Sequence, residues 1–593
     1  MAKDYLKKKS SEEIQTDTAE AAEEPTATNE AGAEVEIIPI VGPLPLSEPA
    51  VEMVETPEAD HGERREMVKS ATLNMLGNLG SSVMGMVRQV ALSATGSATA
   101  GPFFFASKIP QTFNDFIVNG SVSGALIPTF NDYAAPEKHE ELRRIIYTVV
   151  NLVLLIMMIS ALGFFFFAPW FVNFVASGLS ADERALTTQL ARIMFLMPLM
   201  LGPFAVLQAA LYARKEFRLT AFATAAAHVG IIIGAVALGW SVTYRSYGLA
   251  LGALLGALGE IALLIPGLRK ERLKYKLVLD LKHPAFKQIL RLYGPVSISF
   301  FASSILVYFD QHLVSLTPCL SFIHNPQGCG TANYSAMQLA TTLIQFPGGL
   351  VAAALSFAVL PTLTAHIRDS QIERFKSTLA LGFRLGLLLM IPAAAGLIVL
   401  QWPIALLFFG HGGSTAADAH LVAIALQNYS YQLPFVAIDQ LLIAAFYARK
   451  NTIIPVVVLF VSILGYLAVA LPFSSTIGMP ALALANTAQN ATHAVVLLLI
   501  LRKVMGPIHV RTMLPALGKI LLATAVMVAL AWGLQVVLPY VPLFSLDKVY
   551  GQLLTVIVVG GLSAGAYFGL IALFKVEEMD LLKGTILAKL GKK

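Results

Sequence analysis

Eight ionisable side chains stand well inside runs that are otherwise apolar: Arg88, Lys108, Asp115, Arg192, Glu260, Asp310, Arg384 and Asp439. A charge at mid-bilayer costs about 2.5–3.5 kcal/mol on insertion scales, so such residues face a cavity or a partner. Arg88 and Lys108 come from consecutive runs, and a cationic pair in one cavity suits an anionic substrate such as a phosphate or pyrophosphate. Lys108 and Asp115 are seven residues apart and share a helix face, so a structural pair with Asp115 or Glu260 is the competing reading. Asp310 and Asp439 stand on later runs. Carboxylates there, with backbone carbonyls, can hold Na⁺ or a proton that drives a conformational cycle; a plain structural hydrogen bond is the alternative for each. Arg192 and Arg384, about two turns from a run's end, are expected to snorkel to the interface. His228 and His493 read as packed imidazoles.

The elements that must position these residues are membrane helices. Hydrophobic residues make up 56% of the 593 and charged ones 13%, far from the balance of a soluble domain. Fourteen apolar stretches reach the length that a roughly 30 Å hydrocarbon core demands. They cover 69–94, 101–130, 144–167, 185–213, 218–241, 246–268, 288–315, 332–361, 377–402, 417–447, 452–474, 479–501, 514–537 and 551–574. Period-2 alternation, the mark of an outer-membrane barrel, is absent.

The stretches repeat. Ala209-Ala210-Leu211-Tyr212-Ala213-Arg214-Lys215 returns as Ala444-Ala445-Phe446-Tyr447-Ala448-Arg449-Lys450, each copy closing an apolar run. Pro110 and Pro128 of the second span recur at a similar offset as Pro347 and Pro361 of the eighth, with Gly120 and Gly124 matched by Gly348 and Gly349. Six spans per copy is an even number, so both copies enter from one side and form two parallel six-helix lobes facing a cavity. Prolines free backbone carbonyls that need partners at membrane depth, so spans two and eight are expected to line that cavity. The expected organisation is an acidic tail (1–65), a first lobe (66–285), a second lobe (286–505) and two added spans with a cytoplasmic C-terminus (506–593).

Lys and Arg fix the orientation. With the N-terminus inside, the inner connections hold Arg143, Arg144, Arg214, Lys215, the basic run from Arg269 to Lys287, Arg374, Lys376, Arg449, Lys450, Arg502 and Lys503, while the outer ones hold only Arg184, Arg245 and Lys548. The net charge of +5 belongs to these loops and implies no nucleic-acid partner. The first sixty residues carry fifteen acidic side chains against four lysines, the composition of a disordered tail that is either unconstrained or a dock for a cytoplasmic partner. Cys319 and Cys329 both fall in the outer connection between spans seven and eight, where a disulfide is the natural reading; their spacing lacks the CxxC pattern of zinc sites. His411-Gly412-Gly413-Ser414 has no nucleophile elbow and reads as a turn, and no phosphate-binding loop exists, so neither an enzyme nor an ATP-driven pump is indicated.

The residues resemble a family, the MurJ/MviN lipid II flippases of the MOP exporter superfamily, over residues 66 to about 575. Gly85-Met86-Val87-Arg88 is similar to the family's Gly-x-x-Arg of helix one. Phe103, Ala106, Lys108, Ile109-Pro110, Gly120, Ser123, Ala125 and Pro128 are similar to its second-helix signature, and Phe346-Pro347-Gly348-Gly349 with Leu360-Pro361 to that of helix eight. The resemblance implies an all-α MOP fold with two extra C-terminal helices whose groove takes the lipid tail. The chain departs where the family usually has an arginine at Ser82, an aspartate at Gly101-Pro102, an arginine pair at Asn114-Asp115, a Glu-Gly at Asn119-Gly120 and an Asp-Arg at Thr341-Thr342. The cationic carry-over is Arg88 and Lys108; Asn114, Asp115, Thr341 and Thr342 occupy the remaining substrate positions. The implied function is translocation of a polyprenyl-pyrophosphate-linked saccharide, lipid II above all, across the bacterial inner membrane by alternating access, with membrane lipids as surroundings and no cofactor beyond Na⁺ or a proton. A cation-coupled exporter would instead show a cavity dominated by Asp115, Asp310 and Asp439, and a non-transporting scaffold would act through the tail.

Overall fold

A computed structural model of the chain describes residues 80–115, 125–214, 220–237, 242–270, 275–320, 329–508, 513–576 and 578–579. The acidic tail and the start of the first expected span lie outside these residues. Every regular element among the described residues is helical, as a chain that must satisfy its own backbone inside lipid requires.

The helices are α1 (80–93), α2 (Ser97–Asn114), α3 (Ile127–Asp132), α4 (His139–Val175), α5 (Ala181–Met194), α6 (Pro198–Ala213), α7 (Thr220–Ala237), α8 (Val242–Lys270), α9 (Pro284–Ser315), α10 (Cys329–Pro347), α11 (Ala353–Arg368), α12 (Ile372–Val399), α13 (Gln401–Phe409), α14 (Ala416–Ser430), α15 (Leu433–Ala448), α16 (Ile453–Ile477), α17 (Met479–Met505), α18 (Leu514–Val537) and α19 (Val549–Leu573). Eight spans among the described residues are long and apolar enough to cross a bilayer, and α14 with α15 makes a ninth, bent by 45°. The remaining expected spans fall on α1, α2–α3, α7, α9 and α10–α11.

The duplication is legible in the backbone. Span four opens on a capping box in which Glu183 N donates to Ser180 Oγ and Ser180 N donates to Glu183 Oε2; it breaks after Met194, restarts on Pro198 and ends at Ala213. Span ten opens on the same device with Thr415 and Asp418, breaks after Ser430, restarts at Leu433-Pro434 and ends at Ala448. Pro is favoured in a helix's first turn because it lacks only a donor that has no intrahelical partner there. Between α10 and α11 the chain widens into a π-helical turn at Gly348–Ala352, directly after Pro347. Asp115, Ala125 and Leu126 are also π-helical, at the matching place in the first copy.

Helices α2 and α4 to α8 pack on one another, and α10 to α17 do likewise. In the first lobe α7 and α8 cross on Gly230 and Gly234 against Gly248, Gly252 and Gly256, where no side chain would fit; small residues at that spacing let membrane helices approach to backbone contact. Helix α9 belongs to both lobes. Its first turns bury Ala285 and Ile289 among α3, α4 and α6, while its far end packs on α10, α16 and α17. Helices α18 and α19 pair with each other and lean on α12 and α13.

Candidate functional site

The two lobes meet tightly at the end of the molecule that carries the Cys319–Cys329 disulfide. Gly413 N donates to Ala94 O at 2.7 Å, Ser93 Oγ donates to Phe409 O at 3.0 Å, and Gly178 N donates to Ser315 Oγ at 3.2 Å. Thr331 Oγ1 donates to Glu183 Oε1 at 2.8 Å, so the carboxylate that caps α5 with one oxygen bridges the lobes with the other. The His411–Ser414 segment is the turn that its glycines suggest, with Gly412 in the left-handed region at φ 75°.

Beneath this seal lies a cavity of about 1230 Å³, running along α1 from Leu92 to Ser81. Arg88 and Lys108 both line it, on α1 and α2, facing Thr341 and Thr342 on α10. Gln89 Nε2 donates to Thr342 Oγ1 at 3.0 Å, a hydrogen bond from α1 to α10 that spans the lobes, and Thr341 and Thr342 each donate their own hydroxyl to Gln338 O. These hydroxyls therefore offer lone pairs to a ligand, not protons. Arg88 Nε is buried with no hydrogen-bond partner among the described residues. An unmet guanidinium donor at membrane depth is a standing demand for an acceptor.

Sequence reasoning did not assign several further polar liners. His228, read as packed, joins the cavity wall beside Gly85, with Ser81 Oγ 3.5 Å from its Nε2 and its Nδ1 buried without a partner among the described residues. Gln111, Gln338 and Gln345 also face the cavity. A signal for part of this set was present: Gln338, Thr341, Thr342 and Gln345 recur at the i, i+3, i+4, i+7 spacing of one helix face. Ser81, Ser82, Gln89 and Ser107 add polar groups on α1 and α2, and the remaining wall is apolar, from Phe103 and Phe104 through Phe346 and Leu397 to Val556 on α19.

The acidic candidates stand apart from this cavity. Asp115 is exposed at the π-helical turn that ends α2, and Asn114 closes the helix beside it. Lys108 is coupled electrostatically to Asp115 on its own helix and to Asp310 on α9. Asp310 accepts a hydrogen bond from Tyr466 OH on α16. Asp439 is buried on α15 and meets His493 Nδ1 of α17 instead. The two carboxylates thus have separate partners, and among the described residues no group of three His, Cys, Asp or Glu side chains is arranged to hold a metal ion. Glu260 is buried on α8. Neither outlying arginine simply snorkels: Arg192 Nε donates to Phe165 O at 2.9 Å with its guanidinium over the Phe165 ring, and Arg384 pairs with Glu578 beyond α19. His312 bonds to Phe174 O, as a packed imidazole does.

A family model described as lipid II flippase MurJ matches residues 93–551, more than three-quarters of the chain. The chain belongs to the MurJ lipid II flippase family. The probable lipid II flippase MurJ of Bdellovibrio bacteriovorus is 27% identical over 531 residues, covering 88% of this chain and 97% of the relative. That of Vibrio cholerae is 26% identical over 534 residues, covering 88% and 98%. Among solved structures, a lipid II flippase MurJ in an inward closed conformation superposes with a TM-score of 0.67 at 22% identity, over 85% of this chain and 98% of that one. An inward-facing multidrug resistance MATE family transporter of the MOP superfamily superposes at 0.55 and 15%, over 72% and 94%. The fold is that of MurJ and its MOP relatives, an all-helical multi-pass membrane protein.

Proposed function

We propose that this chain is a lipid II flippase of the bacterial inner membrane, a transporter and not an enzyme, that carries a polyprenyl-pyrophosphate-linked saccharide across by alternating access of its two lobes. The observation that carries the reading is the pair Arg88 and Lys108 in one large cavity between the lobes of a MurJ-family fold. Its volume of about 1230 Å³ exceeds the roughly 300–1,000 Å³ of pockets for drug-sized ligands and suits a bulkier headgroup. A pyrophosphate leaving water must exchange its hydration for charged donors, which these two residues supply. The apolar wall that continues to Val556 on α19 suits the prenyl chain that follows the headgroup. Asp115, Asp310 and Asp439 do not line the cavity, which disfavours the organic-cation exporter.

With Lys and Arg inside, the sealed disulfide end faces outward, both termini are cytoplasmic, and the cavity is the cytoplasmic loading state. Lipid II then enters from the inner leaflet, its headgroup settles on Arg88 and Lys108, and release follows when the seal at Gly413 and Thr331 opens. The decisive experiment is rescue of a bacterium depleted of its own lipid II flippase. Growth restored by this chain and lost with Arg88→Ala supports the proposal; no rescue by well-expressed, correctly inserted protein removes lipid II as the substrate.

A further inference from the structure

Asp439 and His493 are separated by 54 positions in the chain and meet between α15 and α17, each side chain 9% exposed. The contact is closed from a third helix. His493 Nε2 lies 3.1 Å from Pro455 O, in the first turn of α16, and His493 Nδ1 lies 2.5 Å from Asp439 Oδ1. A carbonyl oxygen can only accept, so Nε2 must carry a proton and donate it. If the imidazole were neutral, Nδ1 would then present a lone pair to the carboxylate oxygen at hydrogen-bonding distance, which is repulsive. One proton must therefore lie between Nδ1 and Oδ1, on either atom, in addition to the one on Nε2.

We propose that Asp439 and His493 form a proton-binding site, at which uptake of one proton ties α15, α16 and α17 together and its release frees them. The ligand is a proton and not Na⁺, because the inward oxygen of Asp439 is taken by the imidazole and the described residues add no further carboxylate to the pair. Charged groups on the surrounding elements either have partners of their own or stand at helix ends, as His366 does in the last turn of α11 and Arg449 and Lys450 do at the close of α15. On α12, Arg384 pairs with Glu578 and Lys376 with Glu373; at the end of α11, Arg368 pairs with Asp369. On α9 and α16, Asp310 pairs with Tyr466, and Arg502 and Lys503 sit in the last turn of α17. The neutral pair Asn490 and Gln432, bonded at 2.8 Å one to two turns away, supplies no charge of its own. Proton binding stands independently of the substrate; its use to drive the cycle rests on the transport reading above.

The direction of the pH dependence follows from the proton count. The closed contact holds one proton more than a neutral His493 and an ionised Asp439 held apart. It is full at acid pH and weakens up to tenfold per pH unit above about 6.5, the ordinary histidine value, where a freed imidazole would be neutral. Asp439→Asn is the informative variant. Its amide N–H can donate to Nδ1 while Nε2 still donates to Pro455 O, so every bond is made without the extra proton.

The test is thermal unfolding of the purified full-length chain from pH 6 to pH 9, at constant ionic strength, with Na⁺ or with choline. The parent is expected to lose stability as pH rises, and Asp439→Asn to keep the parent's acid-side stability across the range. Exchanging Na⁺ for choline should change neither. Parallel pH curves for parent and Asp439→Asn would overturn the site, and a Na⁺ stabilisation that Asp439→Asn abolishes would make it a sodium site. Should Asp439→Asn fail to fold, ring-nitrogen NMR of the parent, with His493 assigned by its loss in His493→Gln, decides the matter. Two protonated ring nitrogens at a pH where free histidine is neutral support the proposal, as does an Nε2–H ring beside a carboxyl shown protonated by infrared. A ring protonated on one nitrogen only, whichever it is, beside an ionised carboxylate refutes it. No arm contains lipid II, so failure here leaves the flippase reading to its own complementation test.

Discussion

Gly101 of α2 and Thr331 of α10 touch so closely that a Cβ on the glycine would stand 2.5 Å from Thr331 Cβ and 2.9 Å from Thr331 O. The two residues belong to different lobes, and their contact is part of the same seal as Gly413 N to Ala94 O and Thr331 Oγ1 to Glu183 Oε1. Backbone against backbone leaves no slack. The seal is a seam that is either shut or parted, which is what a two-state gate needs.

Gly101→Ala should therefore disfavour the sealed state. Overpacking of this kind typically costs about 1–3 kcal/mol, and the cost falls on the closed state alone, so the open fraction should rise by roughly 5- to 150-fold. Cysteines introduced at the seam and labelled with an impermeant reagent on intact cells report that fraction. Labelling equal to the parent's would mean that Thr331 yields and the seam does not gate.

The disulfide supports the same seam. Cys319 follows the Ser315 contact and Cys329 directly precedes Gly330 and Thr331, with the two Cα atoms 5.2 Å apart. Closing a loop of this length is worth about 2.5 kcal/mol in the chain-entropy account. Replacing both cysteines by serine should lower the unfolding temperature and raise labelling at the seam in the same variant. On intact cells an impermeant thiol reagent should reach Cys319 and Cys329 only after an impermeant reductant; labelling that appears only after lysis would reverse the orientation.

Arg384 Nε stands 2.6 Å from Glu578 Oε1, with the carboxylate 2% and the arginine 22% exposed. Around them Val576 and Met579 pack on Leu388, Ile520 and Tyr567, and Tyr567 OH donates to Leu388 O at 2.7 Å. The pair pins the segment after α19 to the second lobe. Glu578→Leu alone should cost toward the low end of the roughly 3–5 kcal/mol seen when one partner of a buried pair is removed, because Arg384 keeps some water. Arg384→Met with Glu578→Leu should recover most of that loss, since the double variant leaves no unpaired charge. Chemical denaturation of the three variants measures the difference; equal losses in single and double variants would show that the pair is not coupled.

The spans, their duplication and the cavity-facing cations were legible in the sequence because each is a local pattern: an apolar run, a repeated heptapeptide, a charge where apolar residues surround it. The breaks inside spans four and ten had a signal that composition hid. Pro198 and Pro434 both sit where a helix restarts, yet their apolar neighbours make each run look continuous. Partner choice was not legible at all. Tyr466 for Asp310, His493 for Asp439 and Glu578 for Arg384 each come from another helix, 156, 54 and 194 positions away along the chain. Nothing in a helix's own period records which neighbour it will face. The same limit hid His228, which reaches the cavity where α7 lies against α1 at Ser81 and Gly85.

Arg88 offers the sharpest test of the substrate. Its Nε is buried without an acceptor among the described residues, while across the cavity Thr341 and Thr342 have already given their protons to Gln338. The charged donors to an incoming pyrophosphate are then Arg88 and Lys108, to which the amides of Gln111, Gln338 and Gln345 can add only neutral ones. Hydrogen bonds to charged groups are worth about 1.5–3 kcal/mol, so Arg88→Ala should weaken binding of a polyprenyl-pyrophosphate lipid by roughly 10- to 150-fold. Arg88→Lys should lose less, because it keeps the charge and gives up only the planar two-point geometry. If both cations contact one phosphate group, Lys108→Ala combined with Arg88→Ala should depart from the sum of the single losses, as residues sharing a partner do. Binding of the purified variants to the lipid in detergent micelles measures all four. Equal affinity in the parent and Arg88→Ala would sink the anionic headgroup as the ligand of this cavity, whatever the family to which the chain belongs.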